Sequence, residues 1–118
     1  MKKKLQCVQT LTGMVIAGNT STGKHPITSD VVYIIEQPRM LVPQHEGIRL
    51  AHLRQFSTED LMHEEAIAYL YPSQCMTVPY DMDQDLALAY AESVASFEAV
   101  RVEYMAKKNA GLGGTAAH

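Results

Sequence analysis

The string Gly18-Asn19-Thr20-Ser21-Thr22-Gly23-Lys24-His25 nearly spells a phosphate-binding loop, G-x-x-x-x-G-K-[ST]. In such a loop backbone N–H groups wrap the phosphates while the lysine reaches the outer ones. Two features argue against that chemistry. His25 stands where a hydroxyl would meet magnesium, and Pro26-Ile27-Thr28-Ser29 opens no amphipathic helix to supply an anion-binding terminus. The stretch 18–30 is rich in turn formers, so a flexible polar hairpin loop is the expectation there.

Other candidate chemistries fare no better. His63-Glu64-Glu65 begins like the zinc helix H-E-x-x-H, but Ile67 stands where the second histidine is required. Asp81-x-Asp83-x-Asp85 opens like a calcium loop, yet Leu86 stands where the loop's sharp turn requires glycine, and Ala87 and Leu88 follow. Those aspartates suit a helix N-terminus instead. Cys7 and Cys75 match no metal spacing and no nucleophile signature, and free buried thiols are the expectation for both. Tyr69, Tyr71 and Tyr80 have rings that could stack on nucleobases, although aromatic residues near strand ends more often pack in a core. The sequence therefore predicts no enzyme, no metal and no cofactor.

Arg39, Arg49, His52 and Arg54 form the most informative polar set. Arginine forks grip phosphate and arginine planes stack on unpaired bases, so these four are the candidate nucleic-acid-binding residues. Arg49 and His52 have opposite strand parity, so only some of the four share a face. The alternative is pairing across subunits with acidic residues such as Glu59, Asp60, Glu64 and Glu65.

The charge distribution sharpens that choice. Residues 1–56 hold seven Lys/Arg against three Asp/Glu, whereas residues 57–118 hold three against ten, for a total of -3. A dipolar chain of this kind presents a basic side to a polyanion or associates head to tail with itself. It can also simply carry a basic N-terminus and a solvated acidic helix. At 118 residues and 47% hydrophobic the chain suits one globular domain rather than a disordered segment. No unbroken apolar run, Val31–Ile35 included, approaches the ~18 residues a membrane helix needs, and polar Gln6, Gln9 and Thr10 interrupt any signal-peptide core. A cytoplasmic location without membrane partners is expected.

The elements that must position these residues read as follows. Residues 5–18 alternate as strand material, with Gly13 suggesting a bulge or sharp bend. Val31–Gln37 is a β-branched strand; Pro38 marks an edge or bulge, and Met40-Leu41-Val42 continue the direction. Gln44–Gly47 is a turn, and Ile48–Arg54 a third strand. Ala66–Tyr71 and Cys75–Val78 complete five short strands. Leu86, Tyr90, Val94, Phe97, Val100 and Tyr104 then recur at helical spacing, with Lys107 and Lys108 at the end and Gly111 as a stop. The prediction is a mainly β domain over 1–110, with strands between about 5 and 78 and a helix over about 82–108, followed by a flexible tail at 111–118.

Four runs carry a family likeness: Leu11-Thr12-Gly13-Met14-Val15-Ile16-Ala17-Gly18, Pro38-Arg39-Met40-Leu41-Val42-Pro43-Gln44, Gly47-Ile48-Arg49-Leu50, and Thr77-Val78-Pro79 leading into the helix. Over roughly residues 8–100 the chain resembles small Sm-like (Lsm-type) proteins of marine cyanophages and ocean metagenomes. The resemblance implies a strongly bent five-stranded antiparallel sheet, a small open barrel, assembled into a homo-oligomeric ring by strand pairing between subunits. It also implies single-stranded RNA as a partner, in the cytoplasm of an infected bacterial host. The chain departs from the cellular pattern: no N-terminal helix, no Asp-x-x-Met-Asn element, and Thr77-Val78-Pro79 where an Arg-Gly pair would help read a base. No uridine-site residue carries over. A structural or adaptor ring without nucleic acid is the alternative.

Overall fold

The computed structural model describes residues 3–52 and 67–117, with side-chain surroundings as far as Asn109. Strand β1 (Lys4–Gln9) turns through Thr10–Met14 into β2 (Val15–Lys24). Within that turn Thr10 N–H donates to Met14 O at 2.8 Å and Gly13 N–H to Thr10 O at 2.9 Å. Then come β3 (Val31–Gln44), β4 (Gly47–His52), β5 (Ala68–Leu70) and β6 (Tyr80–Asp81). One long helix, α1, spans Gln84–Ala117.

All strand pairs are antiparallel, in the order β4-β3-β2-β1-β6, with β5 also on β3. β4 pairs with the second half of β3 (Arg39–Gln44) and β5 with its first half (Tyr33–Ile35). The two short strands thus behave as one interrupted partner of β3. The sheet is open, since β4 and β6 stand at opposite ends of the order.

A bulge bends the middle of the sheet. The β2–β3 register shifts between Ala17 and Asn19, opposite Gln37 and Pro38. Pro38 has no N–H to lose from a ladder, and Gln37 takes the positive φ of 49° that an extra residue in the strand demands. Gly18 sits in the bend because nothing larger fits: a Cβ there would lie 2.5 Å from Ile35 Cγ2 and 2.8 Å from the Glu36 carbonyl oxygen. At the β3–β4 hairpin, Gly47 supplies the φ of 105° that closes the His45-Glu46 turn.

Strand alternation sends one set of side chains under the helix and the other to the opposite face. Cys7 and Ala17 are buried with Tyr90 of α1, flanked by Val15, Leu41, Leu50, Met82, Leu86 and Val94. Val8, Ile16 and Ile35 form the second cluster, with Met14, Ala68, Leu70 and Cys75 packed on it. The helix begins where the aspartates predict. Asp83 caps it: Leu86 N–H donates to Asp83 Oδ1 at 2.7 Å, and Ala87 N–H to the Asp83 carbonyl at 2.9 Å.

Several expectations are corrected. Gly18–Lys24 is not a loop but the second half of β2, paired from Asn19↔Glu36 to Lys24↔Val31. Its Asn, Ser, Thr and Gly residues are held extended by the β-branched strand beside them, so ladder pairing overrides local turn preference. The real connection is His25–Asp30, where His25 N–H donates to Asp30 O at 2.8 Å. Residues 5–18 are not one bent strand but two strands around the Thr10–Met14 turn. Cys75–Val78 is not a strand. A short 3-10 turn occupies Pro72–Gln74, Cys75 makes a single bridge to Thr10, and β6 takes the fifth strand's place beside β1. The helix, expected to stop near Lys108 before Gly111, runs through to Ala117. No helix among the described residues is long and apolar enough to cross a membrane.

Candidate functional site

The three described basic candidates fall in two different places. Arg39 and His52 are directly paired across β3 and β4. Both lie under α1, around Phe97. The His52 ring sits 4.6 Å from the Phe97 ring at a tilt of 59°, and the Arg39 guanidinium carbon lies 5.7 Å from the same centroid. Arg39 is fully buried; its Nε donates to Ser93 Oγ at 3.1 Å and one terminal nitrogen donates to the Pro38 carbonyl at 3.1 Å. Its charge is thereby directed into the sheet–helix layer rather than toward solvent. Arg49, opposite Val42, has the other parity and is exposed on the face away from the helix. Arg54 lies outside the described residues, as do Glu59, Asp60, His63, Glu64 and Glu65.

The phosphate-loop residues are placed just as clearly. With Gly18–Lys24 extended in β2, successive N–H groups point to alternate sides and cannot wrap an anion together. His25 serves the following turn: its Nδ1 accepts from Ile27 N–H at 3.0 Å and from Thr28 N–H at 3.3 Å. Its ring meets Tyr69 at 5.1 Å and lies nearly parallel to Tyr71 at 6.1 Å. The Tyr71 hydroxyl and Thr28 Oγ1 are 3.0 Å apart. Sequence spacing gave no hint of this cluster, because 44 or more residues separate the histidine from either tyrosine; only the β3–β5 pairing brings them together.

The aspartates act locally. Asp83 is the helix cap, and Asp81 accepts from Gln6 Nε2 at 3.2 Å. Among the described residues no group of three or more His, Cys, Asp or Glu side chains is arranged to hold a metal ion. Burial, with a smaller contribution from Asp83, pushes the Cys7 thiol up to about 11, and burial also raises Cys75. Both thiols are thus disfavoured as thiolates.

The remaining distinctive surface is the pair of sheet edges. Beside β1, the chain from Met76 to Tyr80 exposes three apolar side chains at alternate positions: Met76 (60%), Val78 (70%) and Tyr80 (43%). At the other end of the sheet, β4 exposes Ile48 (59%). Between β4 and the helix runs a groove of about 310 Å³ lined by Ile48, Leu50, Ala89, Glu92, Ser93 and Ser96. This arrangement defines the class of protein: an open antiparallel sheet backed by one long helix, with exposed apolar residues at both ends of the strand order among the described residues. Comparison with protein-family models, curated proteins and solved structures finds no match to the chain.

Proposed function

We propose that the chain is a non-enzymatic, Sm-like subunit that assembles into a homo-oligomeric ring and serves a structural or adaptor role. The observation that carries this reading is the open sheet with exposed apolar residues at both ends of the strand order. Free strand edges are templates for pairing, and a long-lived soluble chain must close, cover or use them. The two edges here differ in sequence and so pair head to tail; such a contact repeats and closes when its rotation allows. Two details support the Sm-like form: β4 and β5 act as one interrupted strand, giving a five-strand order, and the bulge at Gly18 bends the centre of the sheet.

The RNA-binding version of this reading has less behind it. Arg39 and His52 are engaged at Phe97, which leaves Arg49 as the exposed basic residue among the described candidates. The structural ring is therefore preferred. Native mass by light scattering at micromolar concentration tests assembly: a closed multiple of the chain is expected, and a monomer overturns the proposal. Titration with single-stranded RNA at about 50 mM salt, where phosphate contacts are strong, tests the role. No binding is expected. Saturable binding whose salt slope falls by about 0.7 in Arg49→Ala would replace the structural role with RNA recognition.

A further inference from the structure

We infer that α1 pairs with α1 of a second copy, antiparallel, through the side it turns away from the sheet. This contact is separate from the strand edges on which the ring reading rests. The helix is apolar on two opposite sides. Leu86, Tyr90, Val94 and Phe97 face the sheet. Leu88, Ala91, Ala95, Ala99, Val102 and Ala106 recur at spacings of 3, 4, 4, 3 and 4, and all six are exposed. That period draws one stripe along the helix. At about 3.6 residues per turn the stripe lies across the axis from Tyr90 and Phe97. Helix propensity accounts for alanine on a solvated face. It does not account for Leu88 and Val102, each 59% exposed, on either side of Ala91, Ala95 and Ala99. A second helix suits this arrangement: the alanines let the axes approach to about 8 Å, and that approach covers the larger side chains.

The charges beside the stripe point to a copy of this same helix and set its direction. By helical period Glu92, Glu103 and Lys107 lie on one flank, and Glu98 and Arg101 on the other. The pairs Glu103–Lys107 at 3.0 Å and Glu98–Arg101 at 3.2 Å agree with that grouping. A parallel pair sets opposite flanks side by side, so Glu98 would meet the flank of Glu92 and Glu103. An antiparallel pair sets like flanks side by side. Centred between Ala99 and Val100, it places Glu92 opposite Lys107 of the second copy on one flank and Glu98 opposite Arg101 of the second copy on the other. A centre two residues earlier would set Glu92 against Glu103 instead. Exposed ion pairs add little affinity, so they choose direction and register while the apolar stripe supplies the adhesion. The contact is isologous, unlike the head-to-tail contact of a ring, so it joins copies two by two and leaves the sheet edges uncovered.

Two experiments on the full chain test this. In the first, native mass is compared between the parent and Ala99→Glu, a substitution at an exposed helix position that leaves the core intact. The mass is expected to halve, whether the parent is a simple pair or a pair of rings. Glu92→Lys and Lys107→Glu should each raise several-fold the concentration at which the parent's mass halves on dilution, and the two together should return it toward the parent's. In the second, Ala99→Cys and Leu88→Cys chains are oxidised separately. Ala99 lies beside the two-fold axis, where Cα atoms come within the roughly 7 Å that a disulfide bridges, so Ala99→Cys is expected to form a covalent dimer with itself. The two copies of Leu88 would stand about 34 Å apart along the pair, so Leu88→Cys is expected to form none beyond the parent chain's background. A native mass unmoved by Ala99→Glu, an Ala99→Cys chain that forms no dimer, or a Leu88→Cys chain that crosslinks as readily overturns the antiparallel pair. So does a parent whose native mass is an odd multiple of the chain, and each of these results leaves ring assembly through the edges standing. A monomeric parent overturns both.

Discussion

The two faces of the sheet bury similar apolar side chains but are organised differently. Under the helix, packing is combined with directed polar contacts. Tyr90 donates to the Gln37 carbonyl at 2.8 Å, at the one β3 residue with positive φ, and Arg39 reaches from β3 to Ser93 of α1. On the opposite face Val8, Ile16 and Ile35 are packed with Met14, Ala68 and Leu70, and a hollow of about 460 Å³ opens beside Leu11, Met14 and Gln74. Apolar packing tolerates small shifts, whereas a buried hydrogen bond holds one geometry and is costly to leave unmade. The helix is therefore placed on the sheet by its polar anchors at the bulge, with the apolar stripe supplying most of the adhesion.

The largest test of that division is Phe97→Ala. Phe97 fills the space between His52, Arg39 and Tyr104, and its truncation should cost about 3–5 kcal/mol in urea unfolding. Ile35→Ala, on the other face, should cost a comparable 2–5 kcal/mol. The two should differ in kind. Loss of Phe97 removes the wall against which Arg39 and His52 are held, so ring-shifted signals of His52 should move; loss of Ile35 should leave them in place. Equal disturbance of His52 by both changes would erase the distinction between the faces.

Much of the fold was legible in residue pattern. The β-branched run of β3, the proline at its bulge, the Gly47 hairpin and the aspartate cap all announce themselves through strong local preferences. Gly18–Lys24 was not legible as a strand, because its composition favours turns and its partner, not its own sequence, holds it extended. The basic set was half legible. Strand parity correctly separates Arg49 from His52, but charge alone suggests exposure for Arg39, and nothing local says that a helix 54 residues further on brings Ser93 and Phe97 over it.

The thiols divide along the same two faces and give a second, smaller effect. Cys7, under the helix, loses its proton near 9.0 when exposed and only near 11 when folded, by burial first and Asp83 second. Between those values the folded chain holds the proton that the unfolded chain has lost. Stability is therefore fully present below pH 9.0 and falls as pH rises toward 11, by on the order of 2 kcal/mol at the top of the window. Denaturant midpoints measured across that range should drop in the parent and drop less in Cys7→Ala. If Cys75→Ala, on the opposite face, flattens the curve more than Cys7→Ala does, the burial contrast between the two thiols is wrong.

The smallest expected effect marks where the covered face ends. Val100 continues the helical stripe of Leu86, Tyr90, Val94 and Phe97 in sequence, so periodicity alone predicts its burial. In the fold it is 52% exposed, one turn beyond Phe97. The reason is length: at 1.5 Å per residue the 34 residues of α1 run about 51 Å, which no strand of the sheet can underlie throughout. After Phe97, Tyr104 packs against its ring and Met105 is half-buried, and exposed pairs such as Glu98–Arg101 at 3.2 Å and Glu103–Lys107 at 3.0 Å lie along the helix. Exposed pairs of that kind contribute little each. Val100→Ala should therefore change stability by no more than about 0.5 kcal/mol, as for other surface positions, against several for Phe97→Ala. The measurement is most useful at two concentrations. A small cost when dilute that grows several-fold where the chain associates would place Val100 in a contact between copies, extending the assembled surface along the helix. A large cost at both would mean that the stripe stays on its own sheet past Phe97, and the boundary drawn between covered and projecting helix would have to move toward Tyr104.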